Sequence, residues 1–422
     1  MILEVTPRQI RRNTLLLAGC MAVFASALQL SVALATVTFV LVTGIEGLLG
    51  LGPAIFLSAG GVGAFVAGRA MDRFGRIPVL ASGFGLGIAG NCVTSLGVHL
   101  LSPAVVIVGF FLIGAGNGVI SLTRTAGGDM YPPERRARGI SYVLFGSVFG
   151  AILGPAVFVP IFSGRELEAP QLVLPWLASA GILVLGVVLA LLVRPDPRRI
   201  AERFAAPVQT DDAAQHPETA APLRAILRRP GVAPALLAGL ASFSIMVAVM
   251  NLTGHVVVDE HGHDPETVFP IIAAHIVGMY GLVLVVGDVI DRVGRRPALV
   301  GGLLIMALSV VALLFTSSVV AIAFAQFGLG LGWVFSFVAA SAELVDLARP
   351  VERGKLLGFH DAWASGLGAA FALSGGYLLS RFGVAGLAAA GTVVVTVPAA
   401  LILVVRRRVD ESAPALGTLP TR

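Results

Sequence analysis

Residues 68–76 read Gly-Arg-Ala-Met-Asp-Arg-Phe-Gly-Arg, and residues 287–295 read Gly-Asp-Val-Ile-Asp-Arg-Val-Gly-Arg. The two stretches share the pattern Gly-x-x-x-Asp-Arg-x-Gly-Arg, start 219 residues apart, and each follows a long apolar run. A second repeated pattern, 217 residues apart, relates Asp129, Pro133 and Arg136 to Asp346, Pro350 and Arg353. Two matches at nearly the same spacing predict that the chain is an internal duplication.

The chain around these patterns is too apolar for a protein surrounded by water. Of its 422 residues, 56% are hydrophobic and 13% are charged, whereas a soluble domain has roughly a quarter of its residues charged. Continuous apolar runs of about 20 residues predict transmembrane helices rather than the alternating strands of a barrel. We therefore predict an all-α membrane protein with twelve transmembrane helices, starting near residues 14, 48, 77, 103, 139, 171, 232, 268, 297, 318, 355 and 384.

The duplication divides these helices into two pseudo-symmetric six-helix bundles. We predict an N-terminal bundle over residues 1–193, a polar cytoplasmic linker over 194–230, a C-terminal bundle over 231–408 and a cytoplasmic tail over 409–422. The linker is too polar to fold alone and is expected to be flexible. Its last part, Leu223 to Arg229, is either a plain linker or a short basic helix on the membrane surface.

The distribution of basic residues predicts the orientation in the membrane. With a cytoplasmic N-terminus, 27 of the 29 lysines and arginines lie in inside segments, and only Arg165 and Arg381 do not. Positive charge collects in cytoplasmic loops, so both termini are predicted to be cytoplasmic. The net charge of +5 is thus explained without a nucleic-acid partner. The preference for arginine over lysine indicates a bacterial source, hence the inner membrane.

The repeated Gly-x-x-x-Asp-Arg-x-Gly-Arg turn has the chemistry of a latch between the bundles. Glycine allows tight turns and close helix approach, and the carboxylate can pair with arginine or with a helix N-terminus. Anchoring at the inner membrane surface is the simpler interpretation, but it explains only the arginines. The predicted gating residues are Gly68, Asp72, Arg73, Gly75 and Arg76, with Gly287, Asp291, Arg292, Gly294 and Arg295.

The doubled motif resembles the signature of the major facilitator superfamily of secondary transporters. This resemblance covers nearly the whole chain and implies two bundles that rock about a central cavity to give alternating access. Gly150, Gly154 and Pro155 resemble the Gly-x-x-x-Gly-Pro motif of the antiporter branches, which include proton-coupled drug exporters. A generic packing helix is the other interpretation of these three residues. The stretch 109–117 lacks the arginine that such exporters usually carry.

Ionisable residues inside apolar runs are candidates for ion coupling, because burying charge in a bilayer is costly. His275, and His360 with Asp361, are expected to lie deep, and histidine titrates near neutral pH. Four further candidates are expected near inner helix ends, where structural pairing competes with a coupling role: Arg124, Asp129, Glu343 and Asp346.

Uncharged amides within apolar runs are candidate cavity residues. Gln29, Asn117, Asn251 and Gln326 fall in spans one, four, seven and ten, which line the cavity in the resembling family. A cavity with few polar groups would favour amphipathic or apolar solutes. Hydrogen bonds between helices are the competing interpretation for each amide.

A histidine group follows span seven on the predicted outer side. His255 and Asp259 lie four residues apart, and His261 and His263 follow. Such a group is able to bind zinc or nickel, to sense pH, or to be merely a wet external loop.

The sequence contains neither a phosphate-binding loop nor a hydrolytic motif, so we predict no enzyme activity and no cofactor. The leading hypothesis is a monomeric secondary transporter that uses protons to export a small hydrophobic or amphipathic compound. Uptake of a nutrient or metal ion, and a non-transporting receptor or assembly factor, are the alternatives. The expected partners are a small-molecule substrate, protons and the bilayer.

Overall fold

The computed structural model describes residues 5–44, 51–150, 169–204 and 220–412. The α-helices in the first half of the chain are α1 (Pro7–Thr43), α2 (Leu51–Phe74), α3 (Arg76–His99), α4 (Pro103–Ser121), α5 (Thr123–Asp129), α6 (Arg136–Leu144), α7 (Val173–Leu192) and α8 (Pro197–Ala201). The second half contains α9 (Leu223–Leu227), α10 (Val232–His255), α11 (Val268–Ile276), α12 (Val283–Val293), α13 (Arg295–Ala312), α14 (Val319–Asp346) and α15 (Arg353–Ser412).

Short helical pieces of other types connect these helices. Two five-residue π-helices cover Val256–Glu260 and Val277–Gly281, and the 3-10 helices are Pro133–Arg135, Ala169–Leu172, Glu202–Phe204 and Pro265–Thr267. The second π-helix joins α11 to α12, and the combined span is bent by 45°. In α15 the backbone leaves the helical region at Gly383, where two predicted spans meet.

The described residues form an all-α membrane fold. Nine of their helices are long and apolar enough to cross a bilayer, and the bent pair of α11 and α12 makes a tenth. Many large apolar side chains face outward, including Leu174, Phe269, Leu308, Phe315 and Phe324, each at least 68% exposed. An apolar exterior of this extent is stable when lipid surrounds it.

Small residues set the distance between the helices. In the first half α3 packs on α4 and α7, and α2 packs on α4. A Cβ atom added at Gly118 would lie 1.9 Å from the carbonyl oxygen of Gly60, so these helix backbones are in direct contact. Lipid gives no hydrophobic drive for helix association, and such contacts supply dispersion energy instead. In the second half α10 packs on α14 and α15, and α13 packs on α14.

The halves meet through two equivalent helix pairs. Helix α2 of the first half packs along α15 of the second, and α6 of the first packs on α12 of the second. Helices α2 and α12 end, and α6 and α15 begin, at the same end of the bundle. We call it the arginine-rich end.

Both described ends of the predicted linker are folded onto the protein. Helix α8 begins after Asp196, whose carboxylate accepts a hydrogen bond from the backbone of Arg198. Helix α9 covers the predicted basic segment, and its Ile226 is buried. Of the two interpretations of residues 223–229, the structure shows a short helix, while its location on the membrane surface and the flexibility of the linker stay predictions.

Candidate gate and coupling site

A group of charged residues joins the halves at the start of α15, and we call it the N cluster. Arg76 donates to Asp72 (Nη1–Oδ1, 2.9 Å), to Asp129 (Nε–Oδ2, 2.8 Å) and to the carbonyl oxygen of Pro350 (2.9 Å). Arg353 donates to the other oxygen of Asp129 at 2.6 Å. The cluster is neutral in net charge, and its pairs are almost entirely buried.

Asp72 also binds the first turn of α15. Its carboxylate accepts backbone N–H bonds from Gly354 at 2.9 Å and from Lys355 at 2.6 Å. These donors have no partner within their own helix, and the positive end of the helix dipole favours a carboxylate there. A residue of one half thus caps a helix of the other half.

The same arrangement recurs at the start of α6, and we call it the C cluster. Arg295 donates to Asp291 at 2.7 Å, to Asp346 at 3.2 Å and to the carbonyl oxygen of Pro133. Arg136 pairs with the second oxygen of Asp346. Asp291 caps α6 by accepting the backbone N–H groups of Ala137 (3.2 Å) and Arg138 (2.9 Å).

The motif glycines sit where other residues would not fit. A Cβ atom at Gly68 would lie 2.2 Å from the carbonyl oxygen of Gly354, and one at Gly287 would lie 2.5 Å from the hydroxyl of Ser141. Gly75 and Gly294 have φ values of +96° and +97°, which side chains rarely tolerate. These four positions allow the turns and the close crossing of the halves.

Two of the predicted gating residues do not join either cluster. Arg73 and Arg292 are exposed, and Arg73 lies over the ring of Phe74 at 5.1 Å. For these two arginines, anchoring at the inner membrane surface stays a prediction.

Three acidic residues that sequence reasoning did not single out hold this end of the bundle. Asp196 accepts the backbone N–H of Ile77 at 2.9 Å, directly after the motif of the first half. Asp288 pairs with Arg138 at the boundary of the halves. Glu352, completely buried, binds Arg229, Arg349 and the backbone N–H of Ala221.

Burial by itself would raise the pKa of Glu352, but hydrogen bonds from Arg229, Arg349 and backbone N–H groups outweigh it and hold that pKa at about 2. Glu352 thereby ties the second end of the linker to the turn before α15.

A further inter-half contact lies deeper, about two helical turns along α15 from the arginine-rich end. Arg124 of α5 binds both oxygens of Asp361 of α15, with Nη1–Oδ2 at 2.9 Å. His360 Nδ1 lies 2.9 Å from Asp361 Oδ1, and the hydroxyl of Ser121 lies 3.2 Å from Oδ2. We call Arg124, Asp361 and His360 the buried triad.

The remaining ionisable candidates are paired or packed within one half. Glu343 lies 3.8 Å from Arg296, and both belong to the second half. His275 is 1% exposed, and its Nδ1 lies 3.0 Å from the carbonyl oxygen of Gln326. His360 and Asp361 are buried as well, and the depth of all three residues in the membrane stays a prediction.

The structure describes the side chains of three of the four predicted cavity amides. Gln326 is buried and donates to the hydroxyl of Thr253, and both residues line a small apolar cavity inside the second half. Gln29 and Asn117 are half-buried on α1 and α4. The side chain of Asn251 is outside the described part of the structure.

The outer histidine group shows no metal site among its described side chains, which do not include that of Asp259. Within the described residues, no three His, Cys, Asp or Glu side chains lie close enough together to hold a metal ion. The rings of His261 and His263 are 6.4 Å apart, and His263 Nε2 lies 2.6 Å from the carbonyl oxygen of Ser317. His255 lies at the end of α10.

The antiporter-like motif is only partly visible. Gly150 packs directly on α1, because a Cβ atom there would lie 2.3 Å from that of Ala25. Gly154 and Pro155 lie outside the described residues.

Taken together, the contacts close one end of a two-half helical bundle through ion pairs and helix caps. Arg76 and Arg295 bond to acids of their own half. The caps by Asp72 and Asp291, the two bonds to proline carbonyls and the pairs Arg353–Asp129 and Arg136–Asp346 cross between the halves. These crossing bonds break if the halves separate, so the arrangement is suited to a reversible closure. The buried triad adds titratable groups to the same interface.

Comparison with known proteins agrees with this architecture. Residues 15–287 and 267–420 match the model of the Major Facilitator Superfamily. The chain is 31% identical over 344 residues to the uncharacterized MFS-type transporter YdeG of Bacillus subtilis (strain 168), covering 79% of this chain and 77% of that protein. It is 28% identical over 381 residues to the riboflavin transporter RfnT of Brucella anthropi, covering 88% and 90%.

Among solved structures, the proton:xylose symporter XylE bound to 6-bromo-6-deoxy-D-glucose superposes with a TM-score of 0.76 at 16% identity, over 94% of this chain and 96% of that one. At this identity the likeness concerns the fold. The duplicated motif, the paired clusters and the family match lead to one conclusion: the chain belongs to the Major Facilitator Superfamily of transporters.

Proposed function

We propose that this protein is a bacterial inner-membrane transporter that works by alternating access and exports a small amphipathic compound in exchange for protons. The two bundles, residues 1–193 and 231–408, would rock against each other, with 194–230 as the cytoplasmic linker. The observation that carries this proposal is the pair of matched clusters that join the halves at one end. Positive-inside charge makes that end cytoplasmic.

The polarity of the cavity candidates supports the substrate class. The half-buried amides Gln29 and Asn117 lie on α1 and α4, each of which contains a stretch apolar enough to cross a bilayer. Few polar groups among apolar walls favour solutes with both characters. The export direction rests on the antiporter-like motif alone.

A second candidate is uptake of an amphipathic aromatic solute. The riboflavin transporter RfnT, which aligns with 88% of the chain, supports the substrate class of this candidate but not the direction of transport. Metal uptake has less support, since the histidines after α10 are not arranged as ligands.

Everted and right-side-out membrane vesicles separate the two directions. An imposed pH gradient should drive accumulation of riboflavin or of the lipophilic cation ethidium in everted vesicles for an exporter, and in right-side-out vesicles for an importer. The control is Asp72→Asn with Asp291→Asn, which should lose transport while remaining in the membrane. Absence of gradient-driven flux for a broad panel of amphipathic probes would favour a non-transporting role.

A further inference from the structure

The buried triad joins the halves as the two clusters do, but it lies deeper and has a histidine beside its carboxylate. Arg124 and Asp361 are nearly inaccessible, with side chains 2% and 10% exposed. Arg124 comes from the first half, and Asp361 and His360 come from the second. Any motion that opens the arginine-rich end must therefore separate this ion pair.

The surroundings of the triad are built for an ionised Asp361. Its carboxylate receives two bonds from Arg124, one from the Ser121 hydroxyl and one from His360 Nδ1. Nε2 of His360 is a buried atom that has no hydrogen-bond partner among the described residues. The opposite charges of Arg124 and Asp361 balance each other, so losing the charge of Asp361 would leave Arg124 without its counter-ion.

Arg124 keeps other partners if Asp361 loses its charge. It donates to the carbonyl oxygen of Ser121 at 2.8 Å and to the Ser341 hydroxyl at 3.2 Å, and it lies 4.7 Å from the ring centre of Phe337. The guanidinium is therefore not left bare when the ion pair breaks. Breaking the pair remains costly, because a buried charge without its counter-ion is strongly disfavoured.

We propose that Asp361, supported by His360, binds the transported proton, and that proton binding releases Arg124 and unlocks the arginine-rich end. A proton arriving at the exposed edge of Asp361 cancels the charge that Arg124 attracts. The halves then separate, and loss of the proton at the open arginine-rich end restores the carboxylate. Arg124 pairs with it again, and the end closes.

Other charged groups on the adjoining helices are engaged elsewhere. Helices α4 and α10 place no acidic or basic side chain near the triad. Between them these two helices contain one ionisable side chain, that of His255, at the far end of α10. On α2, α5, α14 and α15 the described charged residues near this end bond to other partners: Arg69, Asp72, Asp129, Glu343, Asp346, Arg353 and Lys355. Asp361 is thus the acid whose charge Arg124 directly neutralises.

The inference rests on the proposed function but has a test that needs no transported substrate. Phe74 and Val293 occupy equivalent positions in the two repeats at the arginine-rich end and are 62% and 58% exposed. Spin labels on Phe74→Cys and Val293→Cys, with Cys20→Ala and Cys92→Ser, report the separation of the halves in lipid nanodiscs. Acidification from pH 8 to pH 5 should increase the long-distance population, by at most about tenfold per pH unit for one proton.

Asp361→Asn should remove most of this response and favour the open form at both pH values, with less than about a twofold remaining change. Asp288→Asn, which removes a carboxylate of a more exposed inter-half pair, should keep the full response. A pH response that persists in Asp361→Asn, or none in the parent protein, would overturn the proposal.

If Asp361→Asn does not fold, Arg124→Lys tests the same proposal. Lysine keeps the charge but not the two-pronged contact, so the opening transition should move to higher pH. An unchanged transition would count against the triad. This test can fail independently of the proposed function. If the label distances do not change with pH but gradient-driven flux persists, the role of the triad is rejected and the proposed function stands.

Discussion

In the N cluster the side chains of Arg76 and Asp129 are completely buried, whereas in the C cluster Arg295 is 10% exposed and Asp346 is 25% exposed. The bonds themselves match one for one, down to the arginine that binds a proline carbonyl. A duplicated sequence has therefore kept the pattern of contacts but not their environment. Because charge pairs are stronger and harder to break when dry, the two clusters should differ in energetic weight.

The helix crossings and the turns are also more tightly packed at the N cluster than at the C cluster. At the N cluster, Gly68 faces the backbone of Gly354 and Gly358, while at the C cluster Gly287 faces Ala137 and Ser141. The turn before α15 is further held by buried Glu352, and the equivalent position before α6 is the exposed Arg135. The side of the interface formed by α2 and α15 is therefore the more tightly built of the two.

The largest difference is expected from the shared aspartates. Asp129→Asn leaves two buried arginines without their common counter-ion and should lower the free energy of unfolding by about 3–5 kcal/mol. Asp346→Asn, in the wetter cluster, should lower it by about 1 kcal/mol. Thermal unfolding of both variants in one detergent measures the difference, and equal shifts would refute the distinction between the clusters.

The glycine crossings should show the next largest effect. Gly68→Ala places a methyl group against rigid backbone and should disfavour closure by about 1–3 kcal/mol. Gly287→Ala meets the Ser141 hydroxyl, which can rotate away, and should disfavour it by less than about 1 kcal/mol. The labelled pair Phe74→Cys and Val293→Cys measures the closed fraction. A larger effect at Gly287 would reverse our ranking of the two crossings.

Glu352 should contribute a smaller effect with a defined pH dependence. Its pKa lies below the usual value near 4.5, so its contribution to stability is complete above that value and is lost as the pH falls towards 2. Glu352→Gln should therefore lower the unfolding temperature by the same amount at pH 8 and at pH 5, and the gap should shrink below about pH 4. Unfolding curves of both proteins across this range test the sign; the matched substitution Arg135→Gln should have no effect.

The exposed pair between Arg138 and Asp288 should matter least. Its side chains are 28% and 37% exposed, so solvent and salt screen the attraction. Arg138→Ala should change the unfolding free energy by less than about 1 kcal/mol, and the change should vanish in high salt. A salt-independent loss comparable to that of Asp129→Asn would show that this pair contributes far more than its exposure predicts.

The fold was largely predictable because the bilayer restricts the options. Apolar runs of sufficient length, punctuated by arginine-rich turns, predict helices and their number, and helix starts in the structure lie within a few residues of those predicted for most spans. The motif turns were also recognisable, since the positive φ of Gly75 and Gly294 demands glycine whatever surrounds it. The roles of the candidate site residues stay predictions.

The pairing of the charged residues could not be predicted in the same way. Arg124 and Asp361 were both candidates, yet they lie 237 residues apart and nothing local shows that they touch. Asp196, Asp288 and Glu352 resemble ordinary surface acids when read along the chain. Only packing makes Glu352 a fully buried partner of two arginines.

The sequence by itself determined the membrane class, the duplication, the helical spans and the turns that need glycine, because these follow from local composition and backbone sterics. The tertiary structure decided which carboxylate meets which arginine, which of two equivalent clusters is dry, and that Asp361 and His360 face Arg124 across the halves. These properties depend on distance and on the exclusion of water, which arise only when remote segments pack together.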